Sequence, residues 1–388
     1  MSASLIVRHI GRLTTWASPR LTHAAVVVTD GAVSWVGADR DLPADLDGEE
    51  LDAAGAAVIP GFVDCHTHAV WAGDRREDFQ ARLGGAGYSP GGIHATVAAT
   101  RAADTVDLLS EATRRIRRMR AEGATTIEVK SGYGLTPVDE VRLLDVIGDL
   151  DATQGGIVST YLGAHVVPPD RDRSEYVEEI VGSLPTAQVH GAAWCDVFCD
   201  EGAFTVEESR RILVAARDNG MGIRIHAEQV ALTGAASLAA ELGCASADHL
   251  DHVTKPDAAA LAAAGVVGVL VPVASLYSRS QRWSHAALLR EAGVTLAIAT
   301  DCNPGTAWCE SMPYAVQLAC LGMGLGVDEA LRAGTLGGAR ALRLADRGHL
   351  AVGARGDLLV LASDHEVDLA AHLGVAGVAT TVIGGRIV

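Results

Sequence analysis

The chain has only two lysines, Lys130 and Lys255, in 388 residues. Positive charge is scarce throughout: 31 Lys and Arg against 48 Asp and Glu give a formal net charge of −17. A surface this acidic argues against nucleic acid or an anionic membrane as partner, since both require a basic footprint. A small anionic substrate stays compatible, because a pocket can be locally basic. Apolar runs are broken by charges before 18 residues, so no membrane span is expected. No basic stretch followed by an apolar core opens the sequence, so no signal peptide is expected. The seven cysteines (65, 195, 199, 244, 302, 309 and 320) are odd in number and form no paired framework. Cys195 and Cys199 have no second pair to complete a zinc knuckle. Reduced thiols and a cytoplasmic location are the expectation.

Hydrophobic residues make up 49% of the chain and charged residues 20%, which fits a well-buried core and excludes disorder. The length suits one large domain or two. Both ends read as β structure: short apolar or β-branched runs at 4–10, 24–30 and 33–37, then 356–361 and 380–383, divided by turns such as Asp30-Gly31. The two ends are expected to pair as one small β-sandwich domain (1–57 with 346–388). Between them, buried-strand candidates fall at 58–68, 124–131, 157–166, 192–200, 222–228, 245–251, 266–274 and 295–301. The gaps hold helical patterns, for example 104–121, 137–150, 206–218 and 256–264. In the first of these, apolar residues at 106, 109, 112, 116 and 119 recur near helical period, with Asp104 as N-cap and Gly123 as terminator. Eight strands alternating with helices predict an α/β fold, a (β/α)8 TIM-like barrel over 58–345. A doubly wound sheet is the runner-up, but no Gly-rich phosphate loop follows the first strand.

In a barrel, chemistry belongs at the C-terminal ends of the strands. The first candidate strand ends Cys65-His66-Thr67-His68, and residues i and i+2 of a strand share a face. Two imidazoles on one side suit a divalent transition metal. Alone, the pair is a weak signal. The fifth strand ends in His226-Ala227-Glu228-Gln229, the sixth in Asp248-His249, and the eighth in Asp301-Cys302-Asn303-Pro304-Gly305. Singly, His226 reads equally as a strand-end histidine and Asp301 as a helix N-cap; together with the pair they form a ligand set. A two-metal site bridged by a modified lysine would need a lysine at a mid-barrel strand end. Lys130 lies on the second strand and Lys255 beyond the sixth, which favours a single metal.

These residues resemble the amidohydrolase superfamily, and the resemblance spans the chain. It rests on the entry Pro60-Gly61-Phe62-Val63-Asp64-Cys65-His66-Thr67-His68, the closing run Gly348 to Leu358, and Thr300-Asp301-Cys302-Asn303-Pro304-Gly305-Thr306. Three further motifs are Gly73-Asp74-Arg75, Glu128-Val129-Lys130-Ser131-Gly132-Tyr133-Gly134 and Leu162-Gly163-Ala164-His165. They resemble the branch that serves histidine degradation. By that resemblance, His66, His68, His226 and Asp301 bind one zinc or iron ion per subunit. Arg75, Tyr133, His165 and Gln229 contact an imidazolone substrate. Asn303, Gly305 and Thr306 touch substrate or product, and Tyr88 joins Arg75 at the propionate. A homodimer is implied as well. Some relatives carry Glu where Gln229 stands, and Gln cannot act as a base. Glu228 is its neighbour, but adjacent strand residues face opposite ways.

The implied substrate, 4-imidazolone-5-propanoate, is a small anion with a cyclic amide, and its hydrolysis gives N-formimidoyl-L-glutamate. The reaction needs a nucleophile at neutral pH, which a metal can supply. It needs a base, for which Asp301 is the candidate and His249 the next. It needs stabilisation of the carbonyl oxygen, by the metal or by a cationic His249. Arg75 suits the carboxylate tail through its planar fork, although an ion pair with Asp74, Glu77 or Asp78 would also explain it. His190, His252 and His349 fall off the strand-end pattern and read as structural. Trp71 and Trp308 default to packing. Two alternatives stand beside this reading. One is another mononuclear amidohydrolase, a nucleobase-type deaminase or a different cyclic-amide hydrolase. The other is a non-catalytic barrel, which would be expected to have lost ligands that are all present in this chain.

Overall fold

A computed structural model describes residues 2–84, 92–278 and 285–388, with the side chains of residues 2–4 and His285 outside that description. Tyr88 therefore lies outside the described residues. Eight parallel strand positions succeed one another in chain order: β1 (Phe62–Asp64), β2 (Ala124–Lys130), β3 (Ile157–Ala164), β4 (Trp194–Cys199), β5 (Ile225–Ala227), β6 (Ser246–His249), β7 (Val267–Leu270) and β8 (Leu296–Ile298). The ring closes just beyond the ends of β1 and β8. The Asp301 N–H donates to the His66 carbonyl at 3.0 Å, and the His68 N–H to the Cys302 carbonyl at 2.9 Å. The closing hydrogen bonds thus come from the ligand candidates themselves.

As expected of parallel strands covered by helices, the strands are buried except near the starts of β3, β4 and β8, where Val158, Ser159, Trp194 and Leu296 are partly exposed. Two of the helices carry clear start signals that were not singled out from sequence. Val206–Asp218 opens with a capping box between Thr205 and Glu208, and Pro137–Gln154 has proline in its first turn after Thr136 accepts from the Asp139 N–H. Thr105–Ala121 departs from the predicted face. Val106 is 76% exposed and Leu109 only partly covered. The buried residues are Leu108, Ala112, Arg115, Ile116, Met119 and Arg120. Arg115 is among them because its guanidinium lies 3.5 Å over the Trp71 ring and donates to the Ala69 and Trp71 carbonyls. Asp104 precedes the helix but makes no side-chain cap.

A second sheet is built from both chain ends. Ser2–Leu13 pairs antiparallel with Leu21–Thr29, which pairs with Ala32–Ala38. Ala57–Pro60 lies between Ser2–Leu13 and Leu358–Leu361, and Val378–Ile383 continues on the far side. Leu5, Val7, Ile10, Val26, Val28, Leu358 and Val382 form its separate core. The predicted strand 58–68 is therefore two strands in two sheets. Gly61 is the crossing point: a Cβ there would lie 2.3 Å from the Thr125 hydroxyl. The strand predicted over 266–274 stops at Leu270, because Pro272 opens the helix Pro272–Tyr277. Among the described residues no helix is long and apolar enough to cross a membrane. All seven cysteines are free thiols.

Candidate metal centre and substrate cavity

His66 and His68 leave β1 with their rings 5.4 Å apart, while Thr67 between them turns outward to donate to the Glu128 carbonyl at 2.7 Å. The His226 ring, from the middle of β5, lies 4.5 Å from that of His66. One Asp301 carboxylate oxygen is 3.4 Å from Nε2 of both His66 and His68. That is too long for a good hydrogen bond and leaves room for a shared ion. Two groups of donor atoms lie within 4.8 Å of one another: His66, His68 and His226, and His66, His249 and Asp301. His66 Nε2 and His68 Nδ1 are buried without a hydrogen-bond partner. Buried orphan nitrogens beside a carboxylate fit a cation.

The ligand candidates are held from behind. His66 Nδ1 meets Asp248 at 2.6 Å, and His226 Nδ1 meets Asp196 at 3.1 Å. A carboxylate on Nδ1 fixes the tautomer, so that each Nε2 is left free for an ion. Below them lies a fully buried charge network. Lys130 Nζ is 2.8 Å from Glu128 and 2.8 Å from Asp196. Arg224 donates to Asp248 at 2.9 Å and to the Cys65 carbonyl at 2.7 Å, and lies 3.6 Å from Glu128. Burial alone would lower the Lys130 ammonium, but Asp196 and Glu128 hold it above the ordinary lysine value. Lys130 is thus committed to structure. None of these partners was identified from sequence. The available signal was a charged residue in an apolar strand: Asp196 between Cys195 and Val197, Arg224 between Ile223 and Ile225.

Burial holds the His66 and His68 imidazoles well below the usual histidine range and raises the Asp301 carboxyl. It pushes His249 down to about 3. That burial disfavours the cationic His249 considered from sequence. Glu228, His249 and Asp301 all adopt left-handed backbone angles, with φ of 57°, 78° and 53°. Each costs about 1–2 kcal/mol in a non-glycine residue, strain that clusters where strand ends must turn side chains toward a site.

A cavity lies over these groups. Arg75, Tyr133, His165, Gln229, Asn303, Gly305 and Thr306 all line it, with His68, His226, His249 and Asp301. So do Ile93 and Phe198, which sequence reasoning missed because a lone apolar residue carries no chemical signal. The Arg75 side chain is only 8% exposed, and it lines the cavity while also pairing with Asp78. Asn303 lines the cavity with its polar atoms already engaged. Its oxygen accepts from the Gly305 and Thr306 N–H groups at 2.8 and 2.7 Å, and its nitrogen donates to the Asp301 carbonyl at 2.7 Å. It shapes the loop after β8. Glu228 turns away and accepts from the N–H groups of Thr233, Gly234 and Ala236. Trp71 is buried beneath Arg115, and Trp308 is 41% exposed in a groove beside the cavity.

The amidohydrolase family profile matches residues 57–388. The chain belongs to the amidohydrolase family. Among this amidohydrolase's relatives is the imidazolonepropionase of Anaeromyxobacter dehalogenans, 45% identical over 100% of this chain and 96% of that one. The imidazolonepropionases of Saccharopolyspora erythraea (44%, 96% and 95%) and Mycolicibacterium smegmatis (44%, 99% and 98%) are comparably similar. An adenosine deaminase from Xanthomonas campestris with bound zinc superposes with a TM-score of 0.76 at 19% identity, over 100% of this chain and 93% of the other. A 5-methylcytosine deaminase from Klebsiella pneumoniae does so with a TM-score of 0.76 at 17%, over 99% and 97%. At those identities the structures speak for the fold alone.

Proposed function

We propose that this amidohydrolase opens the cyclic amide of 4-imidazolone-5-propanoate to N-formimidoyl-L-glutamate, the ring-opening step of histidine degradation. One observation carries the reading: Arg75 lines the same cavity as His68, His226 and Asp301 of the donor set, with His66 grouped with them. The cavity thus offers a cation for a carboxylate tail beside a site for hydrolysis. The naming of relatives about 45% identical supports the same substrate. His66, His68, His226 and Asp301 would hold one zinc or iron ion, and Lys130, fixed between two carboxylates, is not free to bridge a second. When bound, such an ion lowers the pKa of water to about 7 and polarises a carbonyl oxygen.

The protein's own groups do the rest. Arg75 anchors the propionate by charge-assisted hydrogen bonds and so orients the ring. Tyr133, His165 and Phe198 wall the cavity around the ring. The Asp301 carboxylate takes the proton released as the oxygen of water adds to the ring carbonyl carbon. Neutral His249 is a hydrogen-bond donor for the carbonyl oxygen as negative charge grows on it. Asp301 then delivers its proton to the ring nitrogen as the C–N bond breaks; one water is consumed, its second proton leaves to solvent as the new acid ionises, and the two product ends are a carboxylate and a formimidoyl nitrogen. Gln229 cannot take the base role, and Glu228 faces a helix start.

The test is loss of the substrate's ultraviolet absorbance with purified protein. Turnover should vanish on chelation and return with zinc or iron. Metal-restored protein that leaves the substrate untouched would overturn the reading.

A further inference from the structure

The loop that carries Tyr133 into the cavity has a backbone that does not hold itself. Gly132 and Leu135 are both left-handed, with φ of 92° and 52°. Its N–H groups converge on one carboxylate instead. Glu140, in the first turn of Pro137–Gln154 and 1% exposed, accepts from Gly132 at 2.7 Å, Gly134 at 2.7 Å and Leu135 at 2.8 Å. Among the described residues it makes no ion pair; burial raises its carboxyl, and the Ser131 side chain and these main-chain donors offset part of that cost. The loop's carbonyls are engaged from the other side. His165 Nδ1 meets the Gly132 carbonyl at 2.8 Å, and Arg101 Nε donates to the Gly134 carbonyl at 2.5 Å. The glycines are required: a Cβ on Gly132 would lie 2.9 Å from His165 Nδ1, and one on Gly134 2.6 Å from the Glu140 nitrogen. The Tyr133 ring is thereby set 5.5 Å from the His165 ring and 5.9 Å from that of His68.

We propose that Glu140 is a positioning residue for substrate binding: its buried carboxylate templates the Gly132–Leu135 loop and so fixes Tyr133 at the cavity wall. The inference rests on the reading that Tyr133 contacts the substrate. Glu140 does not line the cavity, so its effect passes through the loop. Glu140→Gln keeps the volume but replaces an acceptor oxygen with an NH2 group that faces N–H donors. A loop shifted by a fraction of an ångström misplaces the ring it carries.

The experiment is a double-mutant cycle in KM, on metal-loaded enzyme, with Glu140→Gln, Tyr133→Ala and the pair. The expected result is a rise in KM of roughly 10-fold for Glu140→Gln, with kcat changed far less and metal content unchanged. In the Tyr133→Ala background the same substitution should add almost nothing. Tyr133→Ala with a normal KM would overturn the underlying reading of Tyr133. A raised KM for Tyr133→Ala with a normal KM for Glu140→Gln, or with fully additive effects, would overturn the role of Glu140 alone. If Glu140→Gln does not fold, Arg101→Ala releases the Gly134 carbonyl from a partly exposed position. It should raise KM in the same direction by a smaller factor, again only when Tyr133 is present, and an unchanged KM would count against the proposal.

Discussion

Replacing Asp248 with asparagine should weaken zinc binding while the barrel stays folded. Asp248 Oδ2 sits 2.6 Å from His66 Nδ1 and 2.9 Å from Arg224, and all three side chains are fully buried. The carboxylate holds the proton on Nδ1 and makes Nε2 a better donor to a cation. Asparagine keeps the shape and can still accept one hydrogen bond. It removes the charge, and Arg224 is left with Glu128 at 3.6 Å as its remaining carboxylate. Losses of this kind cost about 10–100-fold in metal affinity, which is about 1.4–2.8 kcal/mol. Zinc Kd by competition with a chromophoric chelator measures the effect, and circular dichroism checks the fold. Glu228→Gln is the control, since Glu228 caps a helix start and faces away from the cavity. Its zinc affinity should equal that of the parent. Parent-like zinc affinity in Asp248→Asn would refute the reasoning that a carboxylate behind His66 tunes the ligand.

Arg75→Ala should raise KM for the anionic substrate by about 10–100-fold with a smaller change in kcat, the value of charge-assisted hydrogen bonds; an unchanged KM would remove Arg75 from substrate binding. Asp301→Asn should lower kcat by about 10²–10⁴-fold with unchanged circular dichroism, and near-parental turnover would exclude Asp301 as the base. Lys130→Met strips the shared cation from buried Glu128 and Asp196, and should cost about 3–5 kcal/mol in urea denaturation of the metal-loaded protein; a loss below about 1 kcal/mol would show that the network is not held by Lys130.

The barrel was legible because its strands are largely buried on both faces and read as short, mostly apolar runs between helical patterns. The ligand candidates were legible for a related reason: His66, His68, His226 and Asp301 all fall where such runs stop. What sequence could not show depends on contacts across the chain. The break at Gly61 exists because Thr125 occupies the space a side chain would need. Arg115 is buried in place of Val106 because Trp71, 44 positions away, offers it a ring and a carbonyl. Asp196 and Asp248 looked like polar residues in strands until the fold set them behind His226 and His66. Asn303 lines the cavity as expected and also closes its own loop, which the residue's identity alone did not reveal, since an asparagine two residues before a backbone N–H readily closes on it.

The most direct measurement follows the substrate and the oxygen together. Metal-loaded protein is given 4-imidazolone-5-propanoate in ¹⁸O-enriched water, and the products are weighed. The expected result is N-formimidoyl-L-glutamate carrying one heavy oxygen in the new carboxylate, with no ammonia released. Ammonia release, or an intact ring after prolonged incubation with restored metal, would contradict the assignment of a cyclic-amide hydrolase.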